Sequence, residues 1–576
     1  MNLKEQIRHS IPAAIVVVIG AWVMIYYSIV QWETMKPVPS WDLAIFSELA
    51  KAYSHFQTPI VPVKGDGYNL LGDHFHPILI LLGPIWRLFP TPLSLLITQD
   101  LLLAFSAWPL TRLASRLTNQ WVAGGLGLVY VLSWGMQGAV AAQFHEIAFA
   151  MPLLAYASVA FVERRWGAVT AWSVPLVLVK EDMGLTVLMI GVAVILTSAV
   201  PAWYRTCTVI RPGGRGADGL DAAGDAAGNA AGSAPQDDAA RNRRRGLRLG
   251  VGMVVGGIAA FLFAIQVFLP AFNINGVWDY GLSSQDQPTS PDALTQKATV
   301  VVMLILTSGI VGVTSPWLLV VLPTLAWRFL GSVEFYWVWD NWHYNATLMP
   351  IALGALLDVV ARRRAPGSYV ADPPVRQVGV DGRAVMGRSA QAALAAGEAG
   401  EAGEAGTAGE SDVDGPRRRP TAFPTWLTVP MRHRFVVATS ILTAVATGVL
   451  TAPYLPLWQA TNKNFDPLAA EAKQSDEAKR TETHRVAVAH EVIATIPEGA
   501  TVVTDLSLLA YLVPRAEVSW AGTSGPDKEY IVMTPTSANQ WGSSDAAAWG
   551  KKHSKQGATY TLIYNKDNYQ IAKRNG

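Results

Sequence analysis

Long apolar runs recur along the chain as far as residue 452, separated by polar stretches that are short except at about 205–245 and 362–434; beyond 452 the pattern changes. Many of the runs are about 18–22 residues long, the length a helix needs to cross roughly 30 Å of hydrocarbon. The pattern predicts spans at 11–30, 93–112, 121–140, 146–162, 166–179, 183–200, 249–270, 297–313, 316–331, 346–361 and 435–452. The segment PILILLGPIWRLF (77–89) is too short for an ordinary span and reads as a re-entrant or interfacial helix. The expected fold is an all-α polytopic membrane protein of about 11 transmembrane helices. Residues 453–576 are polar and predict a small α/β domain. It would hold a long helix over 468–496, strands at 500–504, 517–520, 530–533 and 560–564, and a helix at 506–512.

Composition agrees with a bilayer protein: of 576 residues, 51% are hydrophobic, 15% charged, and 21 are Trp. The formal net charge of +2 says little as a total, because arginine and lysine are sorted by loop. Cytoplasmic loops collect them. Lys4 and Arg8 therefore place the N-terminus inside, and the run after them reads as an uncleaved first span. The same rule puts the C-terminal domain (453–576) outside. The transmembrane core is 1–361, with a long first extracytoplasmic loop at 32–76 and a disordered cytoplasmic insert at about 205–245. Residues 362–434 form a second disordered, basic cytoplasmic loop, and 435–452 form the last span. The single cysteine, Cys207, excludes an internal disulfide and a cysteine metal cluster. Nucleic acid is not expected as a partner.

The candidate chemistry starts in the first loop, WDLAIFSELAKAYSHFQTPIVPVKGDGYNLLGDHFHP, which carries Asp42, Glu48, His55, Asp66, Asp73, His74 and His76. The topology brings His145, Glu146, Lys180, Glu181, Asp182, Asp279, Glu334, Asp340 and His343 to the same outer boundary. Ionisable groups at membrane depth are costly and usually face a polar cavity or a partner. Asp42 reads either as a general base or as the cap of a helix preceded by Ser40. Asp73 with His74 or His76 could hold a divalent metal, the two imidazoles could instead donate hydrogen bonds to a phosphate, or the segment simply forms the turn into the next helix. Lys180 needs a partner, either Glu181, Asp182 or a substrate phosphate. Arg87 and Arg328 could grip an anionic headgroup or snorkel to lipid phosphate. An aromatic belt explains the residues around Tyr344 better than it explains His343. The C-terminal domain has no glycine-rich phosphate loop, nucleophile elbow or metal-spaced cluster, and reads as a lid, binding or assembly module.

The blocks WDLAIFSEL, LGDHFHPILILLGPIWRLFP, FHEIAFAMPLLA, VKEDMGL and HYNATLMPIALGAL occur in this order over about 35–360. Together they resemble a family of bacterial polytopic membrane proteins of unknown function (domain of unknown function 2079). VVTDLSLLAYLVPRAEV resembles that family's C-terminal portion. The layout is similar to the GT-C class of membrane glycosyltransferases. That resemblance implies transfer of a sugar from a polyprenyl-phosphate donor to an envelope glycan or protein acceptor, outside a bacterial cytoplasmic membrane. It implies Asp42 as base or metal ligand and Asp73 as the second carboxylate, with Asp42, Asp73, His74 and His76 as candidate ligands if a divalent metal is used. His74, His76, Lys180 and Arg328 would steady the departing phosphate, while His145, Glu146, Glu181, His343 and Tyr344 complete the substrate cavity. The rival readings are a lipid or solute transporter or flippase, a non-catalytic envelope assembly protein, and a metal-dependent hydrolase built on Asp73, His74 and His76.

Overall fold

Most of the apolar runs fold as helices in the computed structural model. The structure describes residues 3–35, 41–199, 233–280, 291–331, 333–363, 431–458, 476–537 and 541–576. The described residues are mostly helical, and among them five helices are long and apolar enough to cross a membrane: Leu3–Glu33, Pro92–Leu117, Ala240–Phe272, His343–Arg362 and Arg434–Tyr454. Further apolar helical stretches of 10–17 residues include Pro77–Leu88, Glu146–Val162, Trp166–Leu178 and Met183–Ala199. In chain order the first helices are α1 (Leu3–Glu33), α2 (Trp41–Ser54), α3 (Leu82–Leu88), α4 (Pro92–Leu117), α5 (Gln120–Val131), α6 (Trp134–Ala141), α7 (Ala150–Val162), α8 (Trp166–Ser173) and α9 (Met183–Ala199).

Helix α1 packs along α4, and Ser233–Phe263 packs along α9. Small residues set the second contact: a Cβ at Gly184 would lie 2.7 Å from the Gly257 carbonyl oxygen, and one at Gly191 would lie 2.6 Å from that of Gly250. Glycine pairs of this kind let helix backbones approach where lipid gives no hydrophobic drive to associate. Helix Ser233–Phe263 then passes through a π turn at Ala264–Phe268 into Leu269–Phe272. Pro270 follows the π turn, and proline removes the N–H that a regular ladder would use.

Two expectations need correction. The run 121–140 is split into α5 and α6 at Leu132-Ser133. Side chains take up the groups freed by the break: Gln137 Nε2 donates to the Leu132 carbonyl at 2.7 Å, and Ser133 Oγ donates to that of Tyr130 at 2.7 Å. The insert expected to be disordered over about 205–245 is helical from Ser233 onward. Its alanines and arginines are strong helix formers and run straight into the spanning segment. Residues 200–232, 364–430 and 459–475 lie outside the described residues, as does Ser40.

The C-terminal domain is a five-stranded sheet in the order β2-β1-β3-β5-β4. Its strands are β1 (Thr501–Thr504), β2 (Glu517–Trp520), β3 (Tyr530–Met533), β4 (Tyr560–Lys566) and β5 (Tyr569–Arg574). β1 runs parallel to both β2 and β3, and β5 is antiparallel to β3 and β4. The first loop carries this domain. From α2, Lys51 Nζ donates to the carbonyls of Val513 (2.7 Å) and Ala516 (3.0 Å). Thr523 Oγ1 donates to the Val63 carbonyl at 2.8 Å, and Lys528 pairs with Asp66 at 2.7 Å. Arg485 reaches the Thr34 carbonyl at 2.7 Å, and Trp32 stacks on Tyr511. Glu48 is buried under the same joint and accepts from Val63 N at 3.3 Å. Burial pushes its carboxyl well up, against the opposing effect of backbone N–H groups of Val63 and Val518.

The first loop is in turn clamped to the segment after the π turn. Asn273 Nδ2 donates to the Gly72 carbonyl at 3.0 Å, and any side chain at Gly72 would overlap the Asn273 backbone. Gly72→Ala is therefore expected to cost about 1–3 kcal/mol, the usual penalty for overpacking. Gly124→Ala, where nothing lies within 4 Å, should be neutral or slightly stabilising. Denaturation of the purified variants in micelles checks the contrast; equal effects would contradict it.

Candidate functional site

The ends of these helices and the first loop enclose a cavity of about 840 Å³. The eleven residues expected to act in catalysis, substrate binding or metal binding all line it: Asp42, Asp73, His74, His76, His145, Glu146, Lys180, Glu181, Arg328, His343 and Tyr344. Glu146 opens the helical stretch Glu146–Val162, Lys180–Asp182 form the turn before α9, and His343 opens His343–Arg362. The charges thus gather at helix ends. Of the other acidic and basic candidates, Asp66 pairs with Lys528, Asp279 accepts from Asn273, and Arg87 donates to the Ser54 carbonyl. None of these three lines the cavity.

Two ion pairs, each with a buried carboxylate and a half-buried base, tie the turn before α9 to the first loop and to the start of Glu146–Val162. His74 Nδ1 meets Glu181 Oε1 at 2.8 Å, and Glu181 Oε2 accepts from Phe75 N at 3.1 Å. Lys180 Nζ donates to Glu146 at 2.7 Å. Burial opposes charge on His74, but the Glu181 carboxylate overrides it and holds the imidazole above its ordinary value. Burial likewise opposes charge on Glu181, and His74 keeps it below the usual range. Asp182 differs: its Oδ1 is buried without a hydrogen-bond partner among the described residues, and burial pushes the carboxyl up to about 6.

Asp73 is held more firmly than the sequence suggested. Its Oδ1 accepts from Lys64 Nζ (2.6 Å), Tyr68 Oη (2.7 Å) and Tyr280 Oη (3.0 Å). Burial would raise this carboxyl, yet the charges of His74 and Lys64 keep it well below the usual range. Tyr280 also stacks on His74 at 4.2 Å between centroids. Lys64, Tyr68 and Tyr280 are site residues that the sequence reading passed over.

Arg328 is 3% exposed and directs its guanidinium at the protein itself. It donates to the carbonyls of Tyr336 (2.8 Å) and Tyr344 (3.1 Å) and to Asn345 Oδ1 (2.7 Å). Its evident role is to shape the loop that presents His343 and Tyr344. Trp342, just before His343, has φ +63, a conformation rarely kept by residues other than glycine unless the surroundings enforce it.

Asp42 stands apart. It lies in the first turn of α2 with 40% of its side chain exposed, and His145 Nε2 is 3.6 Å away, beyond hydrogen-bond length. His145 is fixed from behind. Its Nδ1 lies 3.2 Å from the Gln143 carbonyl, which can only accept, so Nδ1 carries the proton and Nε2 faces Asp42. Gln99 of α4 accepts from His145 N at 2.9 Å and donates to the Gln143 carbonyl at 2.9 Å. Gln143 has φ +70, and His145 stacks on His343 at 3.6 Å between centroids. Gln99 was also passed over, although a Gln99-Asp100 pair inside an apolar run is itself a signal.

A divalent metal does not fit as the sequence suggested. Among the described residues, no three His, Cys, Asp or Glu side chains group closely enough to hold one. Asp73 and His74 already direct their atoms at Lys64, the two tyrosines and Glu181.

A family model of predicted membrane proteins, DUF2079, matches residues 38–377, more than half of the chain. The chain belongs to the DUF2079 family. No curated protein matches it. The DUF2079 match takes in every candidate residue from Asp42 to Tyr344 and stops short of the C-terminal sheet.

His76 generates a pH prediction. Burial lowers its imidazole to about 4, so the folded protein takes up this proton later than the unfolded chain does at about 6.5. Stability should therefore fall as pH drops from about 6.5 towards 4, and this group accounts for about 2 kcal/mol by pH 5. In denaturant titrations at pH 7 and pH 5, His76→Phe should lose about that much less than the wild type does. An identical loss in both would contradict the assignment.

Proposed function

We propose that this DUF2079 protein is a GT-C-like membrane glycosyltransferase, moving a sugar from a polyprenyl-phosphate donor to an envelope acceptor at the outer face of a bacterial cytoplasmic membrane. The observation that carries the reading is the contrast among the cavity's carboxylates. Asp73, Glu146 and Glu181 accept hydrogen bonds from protein donors, whereas Asp42 is partly exposed with only a loose neighbour. A carboxylate left open to a cavity is suited to receive a proton. Lys180 and His74, paired with Glu146 and Glu181, keep further N–H groups that can donate to a phosphate in the same cavity.

Leu185, Phe261, Trp278, Pro323 and Trp327 line an apolar part of the cavity. Phe261 belongs to the helix Ala240–Phe272, which has only 17% of its apolar window buried inside the protein. A lipid tail could leave the cavity on this side. The placing of charges at helix ends favours this reading over a transporter with a broken helix at mid-bilayer.

In the proposed reaction, Asp42 accepts the proton of the acceptor hydroxyl as that oxygen bonds to the sugar's anomeric carbon. The bond from that carbon to the phosphate oxygen breaks, and the polyprenyl phosphate leaves with one more negative charge beside Lys180. The proton can pass from Asp42 to His145 Nε2. Asp73 and Arg328 hold the loops that carry these groups and do not touch the reacting atoms.

Two measurements test the proposal. Purified wild-type protein should bind polyprenyl phosphate, and the double variant His74→Ala, Lys180→Ala should bind at least about tenfold more weakly, equivalent to about 1.4 kcal/mol. Asp42→Asn should keep that binding and lower the envelope glycan product by about 100-fold in cells making normal amounts of the protein. Folded wild type that binds no polyprenyl phosphate, or unchanged product with Asp42→Asn, would overturn it.

A further inference from the structure

The C-terminal sheet presents one particular edge to the cavity. β1, β2 and β3 are mutually parallel, so their carboxyl ends lie together at Thr504, Trp520 and Met533. β1 sits between its two parallel neighbours, so the chain leaves it to one side for β2 and crosses to the other for β3. That reversal makes a crevice at the carboxyl ends, the place where open α/β sheets bind ligands. Leu506, just past β1, and Trp520, at the end of β2, both line the 840 Å³ cavity. The crevice therefore opens towards the proposed transfer site.

The hydroxyls at its rim suit a polyol, and a buried cluster fixes the loops that carry them: Asp505 Oδ2 accepts from Thr534 N at 3.2 Å and from the hydroxyls of Thr534 and Ser537, each at 2.5 Å. Ser507 and Thr536 share a hydrogen bond at the exposed rim of the same edge. The indole of Trp520 meets Trp41 edge-on at 4.8 Å between centroids, and a side chain at Gly522 would overlap its ring. Trp520 is thus fixed in place, yet its Nε1 is buried without a hydrogen-bond partner among the described residues. A buried N–H with no acceptor costs free energy unless a ligand or water supplies one. Tryptophan beside hydroxyl-bearing residues matches a sugar ring, whose C–H face packs on the indole and whose hydroxyls take hydrogen bonds.

We propose that the carboxyl edge of the C-terminal sheet is a carbohydrate subsite, with Trp520 as its platform, and that it holds the acceptor glycan opposite the lipid-phosphate wall. The assignment of this sugar as acceptor rests on the transferase reading; the subsite itself is tested separately. The Lys51, Thr523 and Lys528 contacts to the first loop keep this edge over Asp42, so the domain acts as the roof of the site.

The test is saturation-transfer NMR on the full-length protein in nanodiscs, with the methyl pyranosides of glucose, galactose and mannose as probes. At least one should receive saturation from the wild type and lose it in Trp520→Ala. Trp520→Phe, which keeps an aromatic face, should retain part of the signal. Trp520→Ala should leave polyprenyl phosphate binding unchanged. If Trp520→Ala does not fold, Leu506→Trp, which fills the cavity from the same edge, should abolish the signal instead. No saturation of any probe by folded wild type, or full signal in a folded Trp520→Ala, would overturn the proposal. Pyranoside binding at Trp520 without polyprenyl phosphate binding would leave the subsite standing and remove the lipid-donor reading.

Discussion

The site depends on burying charge in compensated pairs. Lys180 with Glu146 and His74 with Glu181 are enclosed, and removing one partner of such a pair typically costs about 3–5 kcal/mol because the other charge is left alone. These pairs join segments far apart in sequence: the first loop, the start of Glu146–Val162 and the turn before α9. A second set of buried pairs lies at the other end of the same helical stretch, where Arg116 meets Glu163 at 2.6 Å and Arg164 meets Asp358 at 2.8 Å. The interior between them is mainly apolar. Polar groups are thereby concentrated at the two ends, and only one end encloses the cavity described above.

Around that fixed frame, the groups without strong partners mark where chemistry can occur. Asp42 is loosely placed against His145, and among the described residues Asp182 has a buried oxygen and Trp520 a buried N–H without a hydrogen-bond partner. Both residues flanking the imidazole stack, Gln143 and Trp342, hold positive φ angles. Such conformations persist where surrounding contacts over-determine them, and here Gln99 and Arg328 supply those contacts. A rigid frame with a few unsatisfied groups aimed into one cavity is a reasonable architecture for a preorganised site.

Much of this was legible in the sequence. Charged residues at the ends of apolar runs have few places to go, which is why Asp42, His145, Glu146, Lys180 and His343 could be named before any coordinates. Lys64, Tyr68 and Tyr280 were not legible, because a lysine or tyrosine in a loop carries no local mark of its partner. Tyr280 reaches Asp73 from 207 positions away. The roles of Asp73 and Arg328 changed for the same reason: only tertiary contacts reveal which donors and acceptors are already engaged. In the C-terminal domain four strands were foreseen and β5 was not. Its signal was the turn Asp567-Asn568, where both residues take positive φ (50 and 64) as in a tight hairpin. The break between α5 and α6 left only a faint mark, Ser133 and Gln137 in an otherwise apolar run, and the Gln137 side chain takes up the freed Leu132 carbonyl.

The most direct test of the central claim is an experimental structure of the full-length protein with polyprenyl phosphate bound, solved by electron cryomicroscopy in a lipid nanodisc. Phosphate density is expected within hydrogen-bond reach of Lys180 and His74, with the lipid chain passing between Phe261, Trp278 and Trp327. Ligand density outside this cavity, or a cavity left vacant at saturating ligand, would contradict it.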